Sequence, residues 1–327
     1  MSSASGDESR PDHDQAATTG VTVIVCTRDR AHLLVDALAA LRAAVPADAE
    51  ILVVDSGSTT SATRDAALTA NVRYVRSDTP GLSIARNAGL AATDAELIVF
   101  TDDDCAVTPD FLAPLIAPFI DPGVAAATGT LRDIGDSSPL STAAVEVLRR
   151  TNQGLDAGHG ALMAFRRSAL LTAGGFDPLL GAGRHFGGAE DMDVFCRLLH
   201  AGHAVARVPA SVVTHVYTRN DEDYIALNEN YGRGIGAMCA KWLRTDRRAG
   251  ISLTALVMRR AVVRFARRLR SARSRRGQLA YLRAVVRGLR QARTLSVRDG
   301  LFIDSTPPAP VSASADATSA VSEGLPA

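Results

Sequence analysis

The chain has 327 residues, 46% of them hydrophobic and 22% charged, with a formal net charge of +1 at pH 7; this fits a soluble globular protein with one large α/β domain or two smaller ones and a sizeable core. The four cysteines, Cys26, Cys105, Cys196 and Cys239, form no CxxC and no close Cys/His cluster, which argues against structural zinc and a disulfide framework and fits packed thiols in a reducing compartment. With no signal-peptide apolar core at the start and no apolar run near the ~20 residues of a membrane span, the expectation is a cytoplasmic protein that can lie peripherally on the inner face of a membrane.

Residues 1–20 are Ser-, Asp- and Ala-rich and are expected to be a disordered tail. Val21 to Cys26 reads as a β-branched strand, followed by a helix whose stripe, Leu34, Leu38, Leu41 and Val45, ends at Pro46. Ile51 to Asp55 is a second buried strand with a turn at Ser56-Gly57-Ser58. A helix at about Ala62 to Ala70 leads to the strand Val72 to Val75, and Pro80-Gly81 opens a helix over Ser83 to Ala92. Such alternation predicts a mostly parallel sheet flanked by helices, with the strand ends sharing one ligand-binding rim.

The next strand, Leu97 to Phe100, runs through Thr101 into Asp102, Asp103 and Asp104. Alternation along a strand puts Asp102 and Asp104 on one side and Asp103 on the other. Two carboxylates on one face repel unless a cation lies between them, and hard oxygen ligands suit Mg²⁺ or Mn²⁺, ions that usually also hold substrate phosphates. The plainer alternative is a solvated acidic loop. Other nucleotide chemistries are excluded: Thr27-Arg28-Asp29-Arg30 after the first strand contains no glycine, and the single lysine, Lys241, lies in no Walker A context. GxSxG and HExxH are also absent.

Five segments in register carry a resemblance. They are Val23 to Arg30, Ile51 to Ser58, Ala85-Arg86-Asn87-Ala88-Gly89, Phe100 to Asp104, and a later block of Gly174-Gly175-Phe176-Asp177 and Gly187 to Asp193 with Pro209 and His215. From Val21 to Trp242 the chain resembles glycosyltransferase family 2. The resemblance implies a GT-A fold, of the nucleotide-diphospho-sugar transferase type, and inverting transfer from a nucleotide-sugar donor by an enzyme of the hexosyltransferase type. It implies that Thr27, Arg28 and Asp55 hold the nucleobase and ribose and that Arg86 lies near the base or diphosphate. In the DXD motif, Asp102 would face the ribose or metal, with Asp103 in the donor site and Asp104 on the metal. Ser56 stands where the family commonly has an acidic or amide residue, which leaves the base preference open; Cys105 stands where a polar residue is more usual, a departure expected to change little.

His215 closes the apolar strand Val212-Val213-Thr214 and is either a further metal ligand, as its family counterpart can be, or structural. Gly158 to Phe165 reads as a glycine-flanked strand lining the sugar pocket, with His159 and Gly160 on the acceptor side. Four glycines between Gly181 and Gly188 suggest a mobile closing loop. It leads to a helix starting near Glu190, where Gly188 and Glu190 would contact the acceptor. Glu190, Asp191 and Asp193 complement the helix dipole there, which is the simpler role for Asp193. Inversion needs a carboxylate to take the acceptor proton, and the resemblance implies Asp191, with Glu190 beside it.

From Lys241 to Arg298 there are 18 basic residues against Asp246 alone, a local charge of +17 that leaves −16 for the rest of the chain. Two stripes, Met258/Val262/Phe265/Leu269 and Leu279/Leu282/Val286/Leu289, make residues 256–293 either a basic amphipathic surface for an anionic membrane or a helical pair packed on the domain. The expected division is a domain over 21–245 (nucleotide half 21–105, acceptor half 106–245), a basic helical extension over 246–298 and a disordered tail over 299–327. The function read from this is a metal-dependent glycosyltransferase with a glycan or lipid-linked acceptor, in cell-wall, glycolipid or polysaccharide biosynthesis. The rival enzyme, a sugar-phosphate nucleotidylyltransferase, needs an early Gly-rich loop and lysine that are absent. A nucleic-acid-binding role for the tail is disfavoured by its few aromatics and the lack of an RNA-binding signature.

Overall fold

The computed structural model describes residues 20–136, 138, 141, 143–216, 221–267 and 272–305. The expectations for residues 1–19 and 306–327 lie outside these. The first half runs β1 (Val21–Thr27), α1 (Ala31–Ala44), β2 (Glu50–Asp55), α2 (Ala62–Thr69), β3 (Arg73–Arg76), α3 (Leu82–Ala91) and β4 (Leu97–Asp102), as the alternation predicts. After the acidic triplet come β5 (Cys105–Val107), α4 (Leu112–Ile116), β6 (Val124–Asp133), β7 (Glu146–Leu148), β8 (Leu162–Arg166), α5 (Arg167–Thr172), α6 (Glu190–His200) and β9 (Ala204–His215). Three helices, α7 (Asp221–Thr245), α8 (Arg247–Arg267) and α9 (Ala272–Ala292), precede a hairpin of β10 (Val297–Arg298) and β11 (Leu301–Phe302).

One sheet has the order β3-β2-β1-β4-β8-β6-β9-β5, with β7 on β9. Its first four strands are mutually parallel, β8 runs antiparallel to β4 and β6, and β9 runs parallel to β6. The strand alternation divides β1 between two cores. Val21, Val23 and Val25 pack with Leu34, Leu38 and Leu41 of α1 on one face. Ile24 faces the other core with Phe100, Phe165, Phe176 and Phe195. In register, Cys26 lies beside Asp102 and Thr27 beside Asp55, so β1, β2 and β4 end on one rim.

The C-terminal helices share a third core with the catalytic half: Leu180, Phe186 and Cys196 pack with Met238, Trp242, Leu253, Val257, Tyr281, Val285 and Phe302. The expected stripes are matched in part: Met258, Leu282 and Leu289 are half-buried and pack against this core. The face that α8 buries is Leu253, Val257 and Ala261, and Val262 is 56% exposed; Phe265 is half-buried, and Leu269 lies outside the described residues. On α9 Tyr281, Ala284 and Val285 are buried, Val286 is exposed, and Leu279, Leu282 and Leu289 are half-buried. On α9 the cause is close helix contact with α7: a Cβ at Gly236 of α7 or Gly288 of α9 would meet the backbone carbonyl of Val285 or Arg233. Small residues face the partner helix, and some branched residues turn outward.

Three further expectations change. The strand foreseen over Gly158 to Phe165 starts only at Leu162, and Gly158-His159-Gly160 is loop. The Gly181–Gly188 segment is anchored, because Arg184 donates to the carbonyls of Pro178 and Pro80 and pairs with Asp304, while Phe186 is fully buried. Phe302, assigned by composition to the tail, is buried and donates its N–H to Asp177.

Candidate active site

A single open cavity of about 1230 Å³ lies over the rim, between the ends of β1 and β4, the 158–161 loop, the start of α6 and the C-terminal helices. Thr27, Arg28, Arg86, Asp102, Asp103, Asp104, His159, Gly160, Gly188, Glu190, Asp191 and His215 all line it. Asp55 is the exception: it is fully buried behind the wall, accepting from the Ser58 N–H at 2.7 Å, the Tyr74 hydroxyl at 2.8 Å and Arg76 at 3.2 Å. It shapes the 55–58 turn, and its neighbour Ser56 reaches the cavity. Arg28 pairs with Asp29 at 3.5 Å and remains largely exposed.

The strand ends at Asp102, and a turn at Asp103 and Asp104, rather than strand alternation, divides the triplet. Asp103 turns back to β1, accepting from the Thr27 hydroxyl at 2.6 Å and pairing with Arg30 at 3.2 Å. Donor atoms of Asp102, Asp104 and Cys105 lie within 4.8 Å of one another, and His215 Nε2 is 3.3 Å from Asp104 Oδ2. The antiparallel pairing of β5 with β9 sets Cys105 opposite His215 and so brings this histidine to the triplet. Burial pushes the Asp102 carboxyl up to about 7 against the pull of Arg86, with Asp104 and Asp103 adding to the rise. Two carboxylates and an imidazole suit Mg²⁺ or Mn²⁺. Burial also raises the Cys105 thiol, with Asp102, Asp104 and Asp103 adding to the rise. Arg30, which no spacing rule singles out beyond its place after β1, pairs with Asp104 as well and supplies positive charge on that side.

Arg86 joins the two acidic groups. It is 2% exposed, with Nη1 3.0 Å from Glu190 Oε1, and Nη2 3.1 Å from the Gly160 carbonyl and 3.6 Å from Asp102 Oδ1. Its guanidinium sits over the rings of Phe176 and Phe100, at 5.3 and 6.0 Å from their centroids. Asp191 Oδ2 accepts the Gly160 N–H at 3.1 Å and Oδ1 accepts the Met192 N–H at 2.7 Å. Burial raises both Glu190 and Asp191; the charge of Asp191 adds to the rise at Glu190, and Arg86 opposes it at both. Ala189, just before them, has φ 68°, a left-handed conformation that is uncommon for a residue with a Cβ and sets the angle at which the pair enters α6.

Asp193 does not cap the helix. It is fully buried and bonded to Lys241 at 2.8 Å, Arg197 at 2.9 Å and Trp242 Nε1 at 3.2 Å. Lys241 also reaches Asp177 at 2.5 Å, so the only lysine of the chain ties α6 to α7.

Residues 22–171 match the family described as glycosyl transferase family 2. The match spans 150 of the 327 residues, and over these the chain resembles that family. The matched segment holds the β1 loop, Arg86 and the acidic triplet and ends before α6. Among curated proteins the chain is similar to the pre-mycofactocin glycosyltransferase of Mycobacterium tuberculosis, 27% identical over 307 residues covering 87% of this chain and 60% of that protein. The chain thus spans about three-fifths of the length of these relatives. It is also similar to the O-antigen chain rhamnosyltransferase RfbN of Salmonella typhimurium, 26% identical over 248 residues covering 69% of this chain and 75% of that one. Among solved structures, the mannosyltransferase PcManGT of Pyrobaculum calidifontis, in complex with GDP-Man and Mn²⁺, has a TM-score of 0.59 at 22% identity, covering 83% of this chain and 87% of its own. GalNAc-T7 with UDP, GalNAc and Mn²⁺ has a TM-score of 0.51 at 17% identity, covering 67% and 48%. The fold is GT-A.

Proposed function

We propose that this protein is an inverting, metal-assisted glycosyltransferase that moves a sugar from a nucleoside-diphosphate sugar to an acceptor hydroxyl in glycan, glycolipid or polysaccharide biosynthesis. The observation that supports this most is the single cavity shared by the acidic triplet and the Glu190–Asp191 pair, with Arg86 between them. Thr27, Arg28 and Ser56 are on the nucleoside side. Asp102, Asp104 and His215 would hold Mg²⁺ or Mn²⁺, which when bound offsets the negative charge developing on the leaving diphosphate. Asp191 lines the same cavity. Its carboxylate, oriented by the Gly160 and Met192 N–H groups, accepts the acceptor proton as the new bond forms at the anomeric carbon and the bond to phosphate breaks. Arg86 balances Glu190, so that two adjacent carboxylates can share the site.

A panel of nucleotide sugars tests the reading: at least one should release free nucleotide in a manner dependent on Mn²⁺ or Mg²⁺. Absence of binding and turnover for the whole panel, with either metal, would contradict it.

A second reading concerns location. Among the described residues no helix is long and apolar enough to cross a membrane. Exposed Ile251, Val262 and Val263 on α8 and Val286 on α9 stand among arginines, which favours binding to an anionic membrane surface, each basic residue near it contributing about 1 kcal/mol. Replacing Ile251 and Val262 by Ser should weaken co-sedimentation with phosphatidylglycerol vesicles at low salt. Wild-type protein that stays in the supernatant would refute this reading.

A further inference from the structure

The cavity is larger than the roughly 300–1,000 Å³ of an ordinary small-molecule pocket. Its outer wall comes from the C-terminal helices, with Tyr231 on α7, Arg264 on α8 and Gln278 and Tyr281 on α9. This wall adjoins the Asp191 side. A Cβ at Gly188 would lie 2.7 Å from the Tyr231 ring, and Gly188 is three residues from Asp191. The wall is braced by Arg260, whose guanidinium makes two bonds, of 2.7 and 2.6 Å, to Asp156 on the cavity rim.

Two features of the wall point to a ligand. Gln278 is 4% exposed, yet its Oε1 has no hydrogen-bond partner among the described residues. A buried amide oxygen in that state is costly unless something donates to it. The Arg264 guanidinium stacks over the Tyr281 ring at 5.3 Å and has no carboxylate partner among the described residues, whereas Arg30, Arg86 and Arg207, which line the same cavity, are each ion-paired. The wall therefore offers an amide oxygen and, stacked on Tyr281, a guanidinium with no carboxylate partner among the described residues.

We propose that α8 and α9 form the acceptor subsite, and that the acceptor carries an anionic group, a sugar carboxylate or a phosphate, which Arg264 binds while a sugar hydroxyl donates to Gln278. This rests on the glycosyltransferase reading above and names the acceptor class for it. The helical extension is then part of the substrate site as well as a packing element. A guanidinium on a carboxylate or phosphate makes charge-assisted hydrogen bonds, stronger than neutral ones, so the anion should improve affinity by about tenfold or more.

Calorimetry on the full chain, saturated with Mn²⁺ and whichever of GDP or UDP binds, would compare phenyl glucoside, phenyl glucuronide and phenyl glucoside 6-phosphate. At least one anionic probe should bind about tenfold or more tightly than the neutral glucoside, and Arg264→Met, at a surface-accessible position, should erase that preference without changing nucleotide affinity. Gln278→Leu should weaken all three probes alike. Which anionic probe wins separates a uronic acid from a phosphorylated or lipid-phosphate-linked acceptor. Equal binding of all three, a preference that survives in Arg264→Met, or nucleotide binding with no probe bound would overturn the proposal. Failure of both nucleotides to bind would instead contradict the donor reading, and the acceptor proposal would fall with it.

Discussion

Replacing Lys241 by Met should destabilise the fold more than any surface change, because of what the lysine leaves behind. Its Nζ lies between Asp177 and Asp193, both fully buried. Without it, Asp193 keeps Arg197 and Trp242, but among the described residues Asp177 keeps only backbone N–H donors, those of Leu179 and Phe302. Breaking a buried pair by removing one partner costs about 3–5 kcal/mol, roughly 6–20 °C in Tm for a domain of this size. The loss should depend on pH in a definite direction. Burial alone would raise Asp193, but Lys241 and Arg197 outweigh it and hold its carboxyl below the usual range. A depressed folded-state pKa contributes stability above the unfolded value of about 3.9 and loses it as pH falls through the folded value. The gap between wild type and Lys241→Met in urea denaturation should therefore be widest near neutrality and close below about pH 4. Adding Asp177→Asn should recover part of it. A gap under about 1 kcal/mol at pH 7, or one unchanged down to pH 3, would refute this account of the network.

Asp104→Ala should weaken metal-dependent donor binding by about 100-fold or more while leaving the melting temperature near wild type, measured by calorimetry with Mn²⁺; losing even a residue behind a metal ligand typically costs 10–100-fold. The pH profile of turnover should have its acidic limb above the ordinary carboxylate range, because burial raises Asp191 and only its ionised form accepts a proton. Activity should therefore rise with pH through that raised value, and a limb at or below about pH 4 would argue against Asp191.

Much of the nucleotide half was legible in the sequence because each buried strand announces itself by an apolar run and each helix by its stripe. The separation of Asp103 from Asp102 and Asp104 was expected from strand alternation, but β4 ends at Asp102 and a turn at Asp103 and Asp104 produces it. What was not legible depends on contacts distant in sequence. Asp55 has the residue type and strand-end position of a ligand, but Tyr74 and Arg76 of the neighbouring strand satisfy it from behind. Asp193 fits a helix-dipole pattern, and only the fold brings Lys241 to it across 48 positions. The tail stripes were matched only in part: Met258, Leu282 and Leu289 pack on the third core, whereas on α9 Gly288, close to α7, takes a place that apolar spacing would not mark. A chain ending near Thr245 would leave the partners of Leu253, Tyr281 and Val285 uncovered, so point substitutions are the better probes of this region.

The central claim is that Asp191, which lines the same cavity as the acidic triplet, takes the acceptor proton. Asp191→Asn preserves shape and the bond from Gly160 but cannot accept that proton. With the best donor of the panel, single-turnover transfer by this variant should fall by roughly 10²-fold or more, with donor affinity nearly unchanged. Transfer at a near wild-type rate would contradict the account and pass the role to another carboxylate, Glu190 first.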